Sequence, residues 1–107
     1  MDKVFSLLGF AQRSGKAVSG EQGVMTALHR GKVHCLIVAK DSSQNTLRKF
    51  SAKAAAQNVP VYVCGTKLEL GLAIGKAQRS LIAVIDSGFA RAIASELGGQ
   101  NLSWEKD

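Results

Sequence analysis

A three-layer α/β/α sandwich built on a small mixed sheet is the fold class that this sequence predicts, and three observations predict it. The short apolar runs HCLIVA, PVYVC and SLIAVI are rich in β-branched residues, the signature of strands buried on both faces. Amphipathic helical patterns about 10 to 15 residues long alternate with them, which implies right-handed crossovers and a parallel or mixed sheet covered by helices on both sides. At 107 residues, with 46% apolar residues and one proline, the chain has length for one core and not for two.

The first helix spans Asp2 to Arg13, with Arg13 in its last turn and Gly15 where a helix-stopping glycine belongs. Its apolar part runs only from Val4 to Ala11, Asp2 is acidic and no small-residue cleavage site follows, so it reads as an amphipathic helix and not as a signal peptide. Ala17 and Val18 are extended and lead into SGEQGVMTALHRGK, where Val24, Ala27 and Leu28 share a face and Gly31 is the stop. Ser19 with Gln22 three residues on forms an S-x-x-Q capping box that starts this helix at Gly20. Gly20 and Gly23 both fall in its first turn, although glycine inside a helix costs about 1 kcal/mol relative to alanine. Without Cβ atoms, the first-turn N–H groups lie open to a phosphate or a base edge. Glu21 suits the helix dipole but repels phosphate, so a base edge or sugar fits better there.

After the strand HCLIVA, Asp41 and Ser42 or Ser43 cap a helix that turns Leu47, Phe50, Ala54 and Ala55 inward and Arg48, Lys49 and Lys53 to water. Asn58 ends it and Pro60 opens the strand PVYVC. Thr66 caps TKLELGLAIGK, in which Leu68, Leu72 and Gly75 share one face and Leu70 and Ile74 supply the rest of the apolar surface. Asp86 or Ser87 caps the last helix, GFARAIASEL, which Gly98 and Gly99 stop. The domain therefore covers residues 1–98, and residues 99–107 are a polar C-terminal tail in which Trp104 either docks on the body or marks a contact.

Charge narrows the function. The formal net charge is +6 and the isoelectric point is near 9.7. From Lys3 to Ile85 the bases at 3, 13, 16, 30, 32, 40, 48, 49, 53, 67, 76 and 79 face only Glu21, Asp41 and Glu69, so the body is more basic than the whole. A compact domain of that balance is suited to a polyanion, nucleic acid first. No run approaches the roughly 18 apolar residues of a membrane span, so no membrane partner is expected. Cys35 and Cys64 lie in apolar stretches and read as free, buried thiols of a reducing cytoplasm.

Enzyme chemistry has little to use. Gly9 to Lys16 is one residue too long for a phosphate-binding P-loop and Gly71 to Lys76 one too short, with Ala17 and Ala77 where a hydroxyl belongs. No G-x-G-x-x-G occurs, and neither His29 nor His34 has a carboxylate or cysteine at metal-ligand spacing, so no cofactor and no metal are expected. His34 and Cys35 point to opposite faces of a strand. Cys64, just before Gly65 at a strand end, is the one nucleophile candidate, with no acid or base assigned to it.

SGEQGVMTALHRGKVHCLIVAKD, KAAAQNVPVYVCGTKLELGLAIGK and LIAVID together resemble the L7Ae ribosomal-protein superfamily, whose members bind kink-turn RNA, and within it the bacterial YlxQ type. The resemblance covers roughly Gln12 to Gly98 and implies the same α/β/α sandwich and RNA binding without catalysis. In that family, RNA is gripped by a helix start with the motif G-x-N-E-x-x-K and by the loop before the last core strand. The motif's glycine falls on Gly20, its asparagine on Gln22, its glutamate on Gly23 and its lysine on Thr26. The two lost charges, one of them offered to guanine in the family, imply weaker or differently specific recognition. The second loop, Lys76-Ala77-Gln78-Arg79-Ser80, is basic where kink-turn binders are more apolar, which favours phosphate contacts that position RNA over contacts that read it.

The expected RNA-binding set is thus Gly20, Gln22, Gly23, Lys76, Arg79 and Ser80, flanked by Arg13, Lys16 and Lys32. The expected protein is a cytoplasmic, monomeric RNA binder of ribosomal-protein type, acting on structured RNA in or near translation and within ribonucleoprotein partners. Phe5, Phe10, Phe50 and Phe89 all stand at helical core spacings, which argues against an aromatic platform for single strands. The alternative is a protein-interaction adaptor of the same fold that lost RNA specificity.

Overall fold

Each apolar run becomes a strand because its residues have two buried faces to fill. In the computed structural model, which describes residues 2–98, Cys35 and Ile37 face one side of the sheet and Leu36 and Val38 the other, and all four are buried. The element order is α1 (Asp2–Arg13), β1 (Ala17–Ser19), α2 (Glu21–His29), β2 (Cys35–Val38), α3 (Gln44–Ala56), β3 (Val61–Val63), α4 (Lys67–Ala73), β4 (Leu81–Val84) and α5 (Ser87–Glu96). The sheet order is β1-β4-β2-β3. β2 and β3 are parallel, while β4 runs antiparallel to both β1 and β2.

Alternation along the strands sorts the core in two. Val4 and Leu8 of α1, Leu70 and Ile74 around α4, and Ala90, Ile93 and Leu97 around α5 pack on Cys35, Ile37, Tyr62, Ile82 and Val84. Val24 and Leu28 of α2 and Phe50 and Ala54 of α3 pack on Leu36, Val38, Val61, Leu81 and Ala83 on the other face. The expected three-layer sandwich with a small mixed sheet is therefore present, with three helices on one face and two on the other. Each fully buried leucine, isoleucine or phenylalanine contributes about 1.5–3 kcal/mol of transfer free energy to this arrangement.

The strand directions decide what meets what. β1, β2 and β3 point the same way, so the starts of α2, α3 and α4 lie at one end of the sheet, together with the loop entering β4. We call this the upper end. The α1–β1, α2–β2 and β4–α5 connections lie at the lower end.

Local chemistry places most boundaries where expected. Ser43 caps α3 by accepting from the Thr46 N–H, Asp86 caps α5 by accepting from Phe89, and Thr66 with Glu69 forms a full capping box on α4. Asp41 is not a cap of α3: its carboxylate accepts from the Lys67 N–H at 2.8 Å and joins the β2–α3 loop to the start of α4.

Two expectations about packing are corrected. α4 ends at Ala73, and Leu68 and Leu72 are 56% and 70% exposed while Leu70 is fully buried. With α1 as the helix packed beside α4, only the stripe through Leu70 and Ile74 has a surface to cover it. Phe10 is likewise 52% exposed, its ring lying 4.8 Å from the Arg13 guanidinium carbon in a cation–π contact. The tail residues 99–107, including Trp104, lie outside the described residues.

Candidate nucleic-acid interface

The start of α2 is built by backbone, not by a side-chain cap. Gly20 is the N-cap, at φ 87° and ψ 158°, and no side chain bonds the first-turn N–H groups. The expected Ser19–Gln22 capping box is absent because Ser19 still belongs to β1, paired with Ile82, and Gly20 donates its N–H to the Leu81 carbonyl at 3.2 Å. Only glycine adopts that conformation freely, so the chain can leave the sheet and begin a helix within one residue. Gln22 is exposed, and its amide has no hydrogen-bond partner among the described residues.

Gly23 proves to have a packing cause. A Cβ there would lie 2.8 Å from the Val18 Cγ1 atom, so α2 lies close against β1 and a side chain would push them apart. The residue is half-buried, so the glycine is accounted for by packing without a ligand. Glu21, by contrast, is exposed and accepts from the Thr46 hydroxyl at 3.3 Å, which ties the starts of α2 and α3 together.

The loop before β4 folds back along α4. Lys76 donates its N–H to the Gly71 carbonyl at 2.8 Å and Arg79 to the Lys67 carbonyl at 3.0 Å. This return is tight enough that a Cβ on Gly71 would meet the Ala77 carbonyl oxygen at 2.1 Å, which explains the glycine of the P-loop-like stretch without a phosphate. The Arg79 Nε donates to the Ser19 hydroxyl at 3.1 Å, and its Nη1 donates to the Gln78 carbonyl at 2.9 Å and the Ala77 carbonyl at 3.3 Å. Nη2 has no partner among the described residues. Arg79 therefore braces the loop against β1 and leaves one edge of its guanidinium unpaired among the described residues. Ser80 stands beside it, its carbonyl accepting from Ala39 and the Ser42 hydroxyl.

Gly20, Gln22, Arg79 and Ser80 are thus brought to one place, and Lys76 is exposed on the same loop. Sequence reasoning missed Lys40 and Lys67, which follow the C-terminal ends of β2 and β3 at this end. A usable signal was present: ligands of open α/β sheets bind outside the carboxyl ends of strands. Arg13, Lys16 and Lys32 do not converge with this group. The Lys16 carbonyl accepts from Ile85 and the residues after Lys32 enter β2, which puts them at the lower end.

The thiols are closed to chemistry. Burial, with Cys64 nearby, pushes the Cys35 thiol up to about 12, and burial also raises Cys64, partly offset by Lys40. Cys64 is 3% exposed, which corrects its candidacy as an accessible nucleophile. Among the described residues no group of three or more His, Cys, Asp and Glu side chains could hold a metal ion, and no helix is long and apolar enough to cross a membrane.

An α/β/α domain with a glycine-started helix and a basic loop joined at one sheet end defines a class of small, basic, ribosomal-protein-like module. The chain belongs to the ribosomal protein L7Ae/L30e/S12e/Gadd45 family, whose model matches residues 2–94. It is 37% identical over 93 residues to the RNA-binding protein YlxQ of Bacillus subtilis, covering 87% of this chain and 93% of that one. It is 33% identical over 89 residues to the RNA-binding protein YlxQ of Enterococcus faecium, covering 83% and 85%. A solved structure from Bacillus halodurans, of a protein of unknown function, superposes with a TM-score of 0.87 at 37% identity, over 92% of this chain and 99% of that one.

Proposed function

We propose that the protein is a cytoplasmic RNA-binding module, acting as a monomer in or near translation, that grips structured RNA with the upper end of its sheet. The observation that carries this reading is the Arg79–Ser19 hydrogen bond, which holds the basic loop against the start of α2 so that both meet one ligand. The family and the RNA-binding relatives support it. Gln22 offers its free amide to a base edge, Nη2 of Arg79 and the Lys76, Lys40 and Lys67 ammonium groups meet phosphates, and Ser80 lines the approach. A bent RNA with unstacked bases suits this mix better than a straight duplex, whose deep groove side chains cannot read. Thr26 in place of the family's lysine makes kink-turn affinity weaker or redirects it.

The test is a fluorescence titration of a kink-turn RNA, a straight RNA duplex and a ribosomal RNA fragment with the wild type and with the Gln22→Ala, Arg79→Ala pair. The wild type is expected to prefer a bent RNA and the double variant to lose that preference. Equal binding of all three RNAs by both proteins overturns the reading.

A further inference from the structure

The lower end of the sheet is also basic, and it carries less acid. Ala17 and Cys35 both pair with Val84, so Lys16 and His34 stand level on either side of β4, roughly 10 Å apart at two strand spacings. Arg30 and Lys32 flank the turn that ends α2, and Arg91 of α5 lines one groove with His34, Tyr62 and Ser87. Lys16, Arg30, Lys32, His34 and Arg91 are all exposed. Asp86 is the acid at this end among the described residues, and its carboxylate is engaged in capping α5. Glu21, Asp41 and Glu69 all sit at the upper end, while Asp2 and Glu96 lie at the far ends of α1 and α5, on the order of 15 Å along the helix axes.

From this placement we infer that the lower end is a second RNA-backbone surface, so that the protein holds two RNA segments at opposite ends of its sheet. The inference rests on the proposed RNA binding at the upper end. Its chemistry differs from that end. The α5 start is filled by Asp86, and lysines and arginines on turns offer point charges to phosphates and read no bases. Lys16 and Gly20 are four residues apart across β1, roughly 13 Å at strand rise, and the two ends face opposite ways. One straight duplex does not touch both, whereas two helical arms of a bent RNA, or two separate duplexes, do.

The experiment uses the full chain, a donor-labelled bent RNA and an acceptor-labelled straight RNA duplex, with the triple variant Lys16→Ala, Lys32→Ala, Arg91→Ala and the upper-end variant Gln22→Ala, Lys76→Ala. The wild type is expected to give energy transfer between the two RNAs. The triple variant is expected to lose that transfer, weaken duplex binding at least tenfold and flatten its log-affinity against log-salt slope by about 3, one per cation removed. Unchanged duplex affinity and slope in the triple variant, with bent-RNA binding lost in the upper-end variant, overturns the second surface and leaves the proposed function standing. If the wild type binds neither RNA at low salt, the proposed function itself fails. Equal loss of binding to poly-glutamate and to RNA identifies a general polyanion attractor and overturns the assignment to RNA. Should the alanine triple melt at a lower temperature, glutamine at the same three positions replaces it, with the same expected and overturning results.

Discussion

Gly20 stands in backbone geometry that a Cβ disfavours although the space around it is empty: nothing lies within 4 Å of where that Cβ would be. The penalty for Gly20→Ala is therefore conformational, and urea denaturation should show a loss of about 1–3 kcal/mol. Gly23 answers to packing instead. Gly23→Glu with Thr26→Lys restores the family's charges but drives a Cβ into Val18, so the triple with Val18→Ala is the informative variant. It should bind kink-turn RNA more tightly than Val18→Ala alone, and a titration of the two checks this. The thiols make a third prediction. The Cys35 thiol, pushed by burial from its ordinary value up to about 12, keeps its proton where the unfolded chain loses it. Its contribution to stability is complete below about pH 8.5 and is lost as pH rises toward 12, at up to about 1.4 kcal/mol per pH unit for each such thiol. Melting temperature should fall over that window, and less steeply in Cys35→Ala.

Helix α4 shows how an element's existence can be legible while its orientation is not. Thr66 marks its start from the sequence, where the structure adds the reciprocal bond with Glu69, whereas the apolar pattern carries the helix through Gly75 and the structure ends it at Ala73, with Gly75 at φ 72° just beyond. Its four apolar positions, with Ile74 at the C-cap, surround so much of a short helix that periodicity offers more than one face for burial. Contact with α1 and the sheet chooses Leu70 and leaves Leu68 and Leu72 in water. Leu70→Ala should cost about 2–5 kcal/mol, whereas Leu68→Gln with Leu72→Gln should stay within about 0.5 kcal/mol for each exposed site. Chemical denaturation separates the two. The start of α2 misled for a related reason: Ser19 and Gln22 have the right spacing for a cap, but the ladder to β4 claims Ser19 and the Arg79 guanidinium takes its hydroxyl.

At the scale of the molecule, the sheet order distributes the charge. Lys40, Lys67, Lys76 and Arg79 come from three different connections and stand outside or beside the upper end. If those four cations neutralise four phosphates, the log-affinity against log-salt slope is about −3.6, equivalent to roughly a 150-fold loss between 50 and 200 mM salt. A salt titration of the wild type measures it, and an apolar adaptor contact would show almost no slope. By itself the sequence determined that the chain is basic and that five helical patterns alternate with apolar strands, because these follow from composition and local periodicity; Gly20 drew attention as a first-turn glycine, while Gln22 and Arg79 came forward through the resemblance to the L7Ae superfamily. Only the tertiary structure decided that Arg79 meets Ser19, that Gly23 is bare to admit Val18, and that Lys16 and Lys32 face away from Gly20. Those facts depend on β4 inserting antiparallel between β1 and β2. That pairing joins residues roughly 40 to 70 positions apart, beyond the reach of any local signal, and it is what gives the molecule two basic ends.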